Sequence, residues 1–153
     1  MEFISNKFSN VALKNFLILS RKQLKEYEWD KQKKYGIISI SKPGEELLWL
    51  RLEDYIFGII KLGFYDVEKT FDIEIFAMQE EDAEAVVDFC NMVLPSVDIL
   101  IVQCDAGISR SAGVGAAISK YYFGVDQWVF NTKRPNMHCY TIILKKFYEK
   151  ENK

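Results

Sequence analysis

The sequence predicts an α/β fold, with a central, mostly parallel sheet flanked by helices. Short β-branched runs alternate along the chain with stretches of helical spacing, the pattern of strands joined by crossover helices. The run Ile99-Leu100-Ile101-Val102 is apolar at every position, as in a strand covered on both faces of a parallel sheet. The chain has 153 residues, 49% of them hydrophobic and only three of them proline, which suits one domain with a sizeable core. It carries no internal repeat, low-complexity tract or Gly/Ser linker, so residues 1–153 read as a single domain.

Residues 16–19 form a short apolar run that predicts the first strand. Residues 22–34 are rich in Lys and Glu around Leu24, Tyr27 and Trp29 and predict an exposed helix. Gly36 opens Ile37-Ile38-Ser39-Ile40-Ser41, a β-branched run that predicts a buried strand. Pro43-Gly44 marks a turn. Residues 55–65 predict another strand, with Ile56, Ile59, Ile60 and Phe64. In residues 80–94, Ala83, Val86, Val87, Cys90 and Leu94 fall at helical spacing with acids opposite, and Pro95 stops that helix. Beyond the strand at 99–102, a run of small residues from Arg110 to about Phe123 predicts a helix. Residues 126–131 predict a short one, and residues 139–150 a closing amphipathic one.

Composition narrows the function. A formal net charge of -2 argues against a general nucleic-acid binder, which is usually strongly basic. It leaves room for a locally positive pocket that takes a small acidic substrate. The cysteines Cys90, Cys104 and Cys139 make no close pair, and His138 is the only histidine. Neither a disulfide framework nor a structural metal site is expected. No run approaches the roughly 20 apolar residues of a membrane span. Met1 to Lys7 lacks the basic start and apolar run of a secretory signal. The expected setting is the reducing cytoplasm, where a reactive thiol stays free.

The chemistry is concentrated in Gln103-Cys104-Asp105-Ala106-Gly107-Ile108-Ser109-Arg110-Ser111. This stretch falls where a buried strand should end and a helix begin. Ligands of open α/β sheets bind at the carboxyl ends of strands, and the following helix points its N–H groups and positive end at that place. Five residues separate Cys104 from Arg110, enough for residues Asp105, Ala106, Gly107, Ile108 and Ser109 to curl around one phosphate with their N–H groups inward. Gly107 permits a backbone angle most residues resist. Arg110 supplies a planar grip on two phosphate oxygens. The same groups favour a thiolate over a thiol, so Cys104 is the expected nucleophile. A cysteine at the end of a core strand is more often a small hydrophobe, and a lone Cys-x5-Arg pair recurs by chance. The full string of strand, Cys, Gly-containing loop, Arg-Ser and small-residue helix carries the reading.

That string resembles the signature loop of the protein tyrosine phosphatase superfamily, in its dual-specificity branch, and is most similar to small bacterial or phage-like members. The resemblance spans roughly residues 16–148. It includes Ile38-Ser39-Ile40 with Pro43-Gly44, Leu62-Gly63-Phe64-Tyr65-Asp66, and Arg134-Pro135-Asn136 with the terminal helix. It implies a phosphatase-like fold and hydrolysis of phosphate monoesters, on phosphotyrosine and on phosphoserine or phosphothreonine, through a phosphocysteine intermediate and without a cofactor. It also implies that the Ser111 hydroxyl helps Cys104 leave in the second step; a serine in a helix first turn otherwise satisfies a backbone N–H. One position departs from the family, which carries histidine where this chain has Gln103.

A neutral carboxylic acid should protonate the leaving group. The local match favours Asp66, whereas spacing alone favours Asp72, and the two stay open at this point. Lys133 and Arg134 are candidates to flank the pocket. The substrate is a phosphorylated protein or another phosphate monoester, a phosphoinositide or an RNA 5′-phosphate included. The alternative is a phosphate-binding pseudophosphatase that recognises phosphoproteins without turnover. Arsenate reduction or sulfur transfer on a related loop is disfavoured, because the low-molecular-weight families that resemble it place their loop near the N-terminus.

Overall fold

A computed structural model describes residues 13, 15–68 and 76–151. Among them, the strands β1 (Asn15–Leu19), β2 (Tyr35–Ser41), β3 (Ile56–Gly63) and β4 (Ile99–Gln103) form one sheet in the order β1-β4-β2-β3. Every pairing is parallel, so all the carboxyl ends lie along one edge. The helices are α1 (Arg21–Lys25), α2 (Glu80–Val93), α3 (Arg110–Phe123), α4 (Gln127–Thr132) and α5 (Met137–Glu151). The chain therefore has the α/β fold its pattern predicts. Among the described residues, no helix is long and apolar enough to cross a membrane.

The central strands explain the continuous apolar runs. Every residue of β2 and of β4 is buried, because each has a strand on both sides and cover on both faces. The outer strand β1 alternates instead, with Phe16 and Ile18 turned into the core. On one face of the sheet, α2, α3 and α5 build the larger core, from Ile38, Ile40, Leu100 and Val102 to Val86, Cys90, Val114, Ile118, Ile143 and Phe147. Helix α3 is nearly all interior because it lies between the sheet and α5. Gly113 makes that possible: a Cβ there would run into the Asn136 carbonyl.

The other face has thinner cover. Leu24, Leu47 and Leu50 join Tyr35, Ile37, Ile56, Ile99 and Ile101, with Tyr27, Trp29 and Tyr55 packed against them. Here the structure corrects the sequence reading. The helix expected over residues 22–34 stops at Lys25. Residues two apart point to different sides of a helix, yet Tyr27 and Trp29 both set their rings edge-on to Tyr35, at 5.7 and 4.9 Å. The Tyr35 hydroxyl also accepts the Asp30 N–H at 3.1 Å. A chain that must deliver both rings to one tyrosine cannot stay helical. The remaining elements differ from expectation by a residue or two at their ends.

Candidate active site

Strand β4 hands the chain to Cys104 while the Cys104 N–H still donates to the Leu19 carbonyl of β1 at 3.3 Å. The chain then folds back over the thiol. The Gly107 N–H donates to Cys104 Sγ at 3.3 Å, and the Ser111 hydroxyl lies 3.0 Å from the same sulfur. Gly107 is needed twice over. Its φ of +69° favours glycine, and a Cβ would come within 2.5 Å of the Ser20 nitrogen. The loop is thus wedged against the end of β1, with the sulfur at its foot and 2% of Cys104 exposed.

Helix α3 starts at Arg110 with no side chain capping it, so its leading N–H groups are open to an anion. Arg110 is buried. Its Nη1 donates to the Phe64 carbonyl at 2.8 Å, and its Nη2 lies 3.7 Å from Asp105 Oδ2. That first bond ties the segment beyond β3 to the loop and brings the next acid with it. Asp66 Oδ1 accepts the Ser109 hydroxyl at 2.7 Å and the Asn136 side-chain amide at 2.8 Å. Both of these bonds fall on Asp66 Oδ1. Cys104, Ser111, Arg110 and Asp66 therefore meet around one loop. Asp72 lies outside the described residues.

The rest of the loop is fixed from below. Asn136 donates its N–H to the Ser109 carbonyl at 2.9 Å, and Arg134 donates to the Ile108 carbonyl at 3.1 Å. Ala106 and Ile108 are exposed at the rim, so only their backbones are available to an anion in the loop. Lys133 and Arg134 lie at the end of α4, beside this rim. A ring nitrogen of His138 bonds the Met78 carbonyl at 2.9 Å, a structural contact. Burial pushes the Cys90 and Cys139 thiols well above the usual range, which leaves both inert as nucleophiles near neutrality.

Gln103 takes the place that the resemblance reserves for histidine. It is fully buried, and its Oε1 accepts the Ser39 hydroxyl at 2.6 Å. It ties the carboxyl end of β4 to that of β2, next to the nucleophile. Its Nε2 and the Ser41 hydroxyl are buried with no hydrogen-bond partner among the described residues.

Sequence reasoning missed two contributors. Asn136 is buried, and it also accepts the Cys139 N–H at 3.0 Å, as a residue capping α5 does. An Asn directly before a helix was the available signal, but its grip on Asp66 was not. Arg21 reaches Asp105 at 2.5 Å from the start of α1. Nothing local in the sequence links two residues so far apart. Among the described residues, no group of three or more His, Cys, Asp or Glu is arranged to hold a metal ion. No protein-family model matches the chain, and no curated protein matches it.

Proposed function

We propose that this protein is a cysteine-dependent phosphatase that hydrolyses phosphate monoesters on phosphorylated proteins, working in a reducing compartment such as the cytoplasm. One observation carries the reading: the Gly107 N–H and the Ser111 hydroxyl converge on Cys104 Sγ at the foot of a loop closed by Arg110. That is the surrounding a thiolate needs and a core cysteine does not.

The substrate phosphate lies in the loop, its charge met by backbone N–H groups and the Arg110 guanidinium. Cys104 Sγ attacks phosphorus, the S–P bond forms and the bond to the ester oxygen breaks. Asp66 gives that oxygen its proton as it leaves. The Asp66 carboxylate then takes a proton from a water that attacks the phosphocysteine. Inorganic phosphate departs, and the Ser111 hydroxyl donates to the sulfur as the S–P bond opens. The Ser109 and Asn136 bonds hold Asp66 over the loop through both steps.

The test is hydrolysis of an aryl phosphate. The wild type should release phosphate in the presence of a chelator. Cys104→Ser should lose turnover by at least about a thousandfold and still bind phosphate esters, because a serine hydroxyl is a weak nucleophile at neutral pH. Arg110→Lys should lose roughly 10- to 100-fold, since an ammonium cannot make the planar two-point contact. Undiminished turnover in either variant contradicts the mechanism. Tight binding of phosphate esters by the wild type without release of phosphate would assign the alternative, a phosphoprotein-recognising pseudoenzyme.

A further inference from the structure

An acid directly after the nucleophile is an odd choice for a loop that must hold a dianion. Asp105 Oδ2 lies only 3.7 Å from Arg110 Nη2. Left to itself, that carboxylate would take up the guanidinium that the phosphate needs, and it would repel the phosphate as well. The structure gives it a second and closer cation. Arg21 Nη2 donates to Asp105 Oδ1 at 2.5 Å, and the Arg21 N–H donates to the Asp105 carbonyl at 3.1 Å. Asp105 is therefore gripped by side chain and main chain from the start of α1. The grip is stiff. Ser20, the preceding residue, caps α1 and lies against Gly107, and Arg21 Nε is buried with no acceptor among the described residues. Side-chain exposures of 41% for Arg21 and 31% for Asp105 place the pair at the loop's edge, not in the core.

We infer that Arg21 is a positioning residue for phosphate recognition: by engaging Asp105 more closely than Arg110 does, it keeps that carboxylate from closing onto Arg110 and leaves the guanidinium available to the substrate. This rests on the phosphatase reading of the same loop. It predicts that Arg21 acts through Asp105, so that the cost of losing one depends on the presence of the other. Without Arg21, the Asp105 carboxylate turns onto Arg110 and competes with phosphate. Without Asp105, there is nothing for Arg21 to hold away.

The experiment is a double-mutant cycle on Arg21→Gln and Asp105→Asn. It reads inhibition by inorganic phosphate together with kcat and KM for an aryl phosphate, and each variant's melting curve is recorded. Arg21→Gln should weaken phosphate binding and raise KM by about tenfold, with kcat changed less than about threefold. Asp105→Asn should tighten phosphate by about two- to threefold in the wild type and by about tenfold in the Arg21→Gln background, a non-additivity that marks direct coupling. Arg21→Lys keeps the charge and should retain most of the affinity. Equal effects of Asp105→Asn in both backgrounds would overturn the inference, because two independent charges add. So would wild-type phosphate affinity in Arg21→Gln. If Arg21→Gln fails to fold, Arg21→Met, which keeps the aliphatic stem and removes the charge, takes its place in the cycle. A wild type that binds phosphate but does not hydrolyse the ester sinks the phosphatase reading alone, and the binding cycle still decides the role of Arg21. A wild type that binds no phosphate sinks both.

Discussion

Strands β1 and β4 lie side by side, and each turns into a helix at the same edge of the sheet. The first does so through Ser20 alone, the second through residues 104–109. At the β1 corner, the Ser20 hydroxyl accepts the Gln23 N–H at 3.1 Å, and the Gln23 side chain accepts the Ser20 N–H at 2.8 Å. This capping box satisfies the helix end locally. At the β4 corner, Ser109 stands in the same capping position but spends its hydroxyl on Asp66. The equivalent residue type is used once to close a helix end and once to leave it open. A closed end contributes stability. An open end, with no side-chain cap on its N–H groups, can receive an anion at the cost of that stability.

After loss of the nucleophile itself, the largest effect that separates the two corners should come from Asp66→Asn. On an unactivated ester such as a serine or tyrosine phosphate, loss of the general acid should slow turnover by about 100-fold or more. On an aryl phosphate with an acidic leaving group the loss should be less than about tenfold, because that group departs without a proton. Rates across a leaving-group series decide it. If Asp66→Asn leaves the series unchanged while Asp72→Asn steepens it, the acid is Asp72.

A smaller effect tests the serines themselves. Ser109→Ala should cost about tenfold in turnover of the unactivated ester by loosening Asp66, with little change in denaturant midpoint. Ser20→Ala should do the opposite. Loss of the cap should lower stability by about 1 kcal/mol while turnover stays within about twofold of the wild type. Urea melts and initial rates on the same preparations make the comparison. A stability loss in Ser109→Ala equal to that of Ser20→Ala, with no change in rate, would mean that both serines serve only their helices.

The sequence made the β4 corner legible because its signals are contiguous. A strand apolar from Ile99 to Val102, a glycine at a fixed offset and an Arg-Ser at a helix start all lie within a dozen neighbours. The central strands were legible for a related reason, since burial on both faces of β2 and β4 leaves runs that are mostly apolar. The failure at α1 was tertiary. Charge pattern favoured helix beyond Lys25, but the ring contacts to Tyr35 and Tyr55 outweigh a propensity of a few tenths of a kcal/mol per residue. The support of the site was hidden by separation. Asp66 meets Ser109 and Asn136 across 43 and 70 positions, and Arg21 meets Asp105 across 84. Only the fold, which brings the ends of β1, β4 and β3 to one edge, puts these residues together.

The central claim is that Cys104 itself takes the phosphate. The most direct measurement is rapid acid quench during turnover of an aryl phosphate, followed by peptide mass spectrometry. It should be made on the wild type and on Ser111→Ala. With the Ser111 hydroxyl no longer 3.0 Å from the sulfur, breakdown of the S–P bond should slow and the intermediate should accumulate. The account predicts phosphate on the Cys104 peptide, more of it in Ser111→Ala than in the wild type, and none in Cys104→Ser. Sustained turnover with Cys104 unmodified in both proteins, or with the phosphate on another residue, would contradict it.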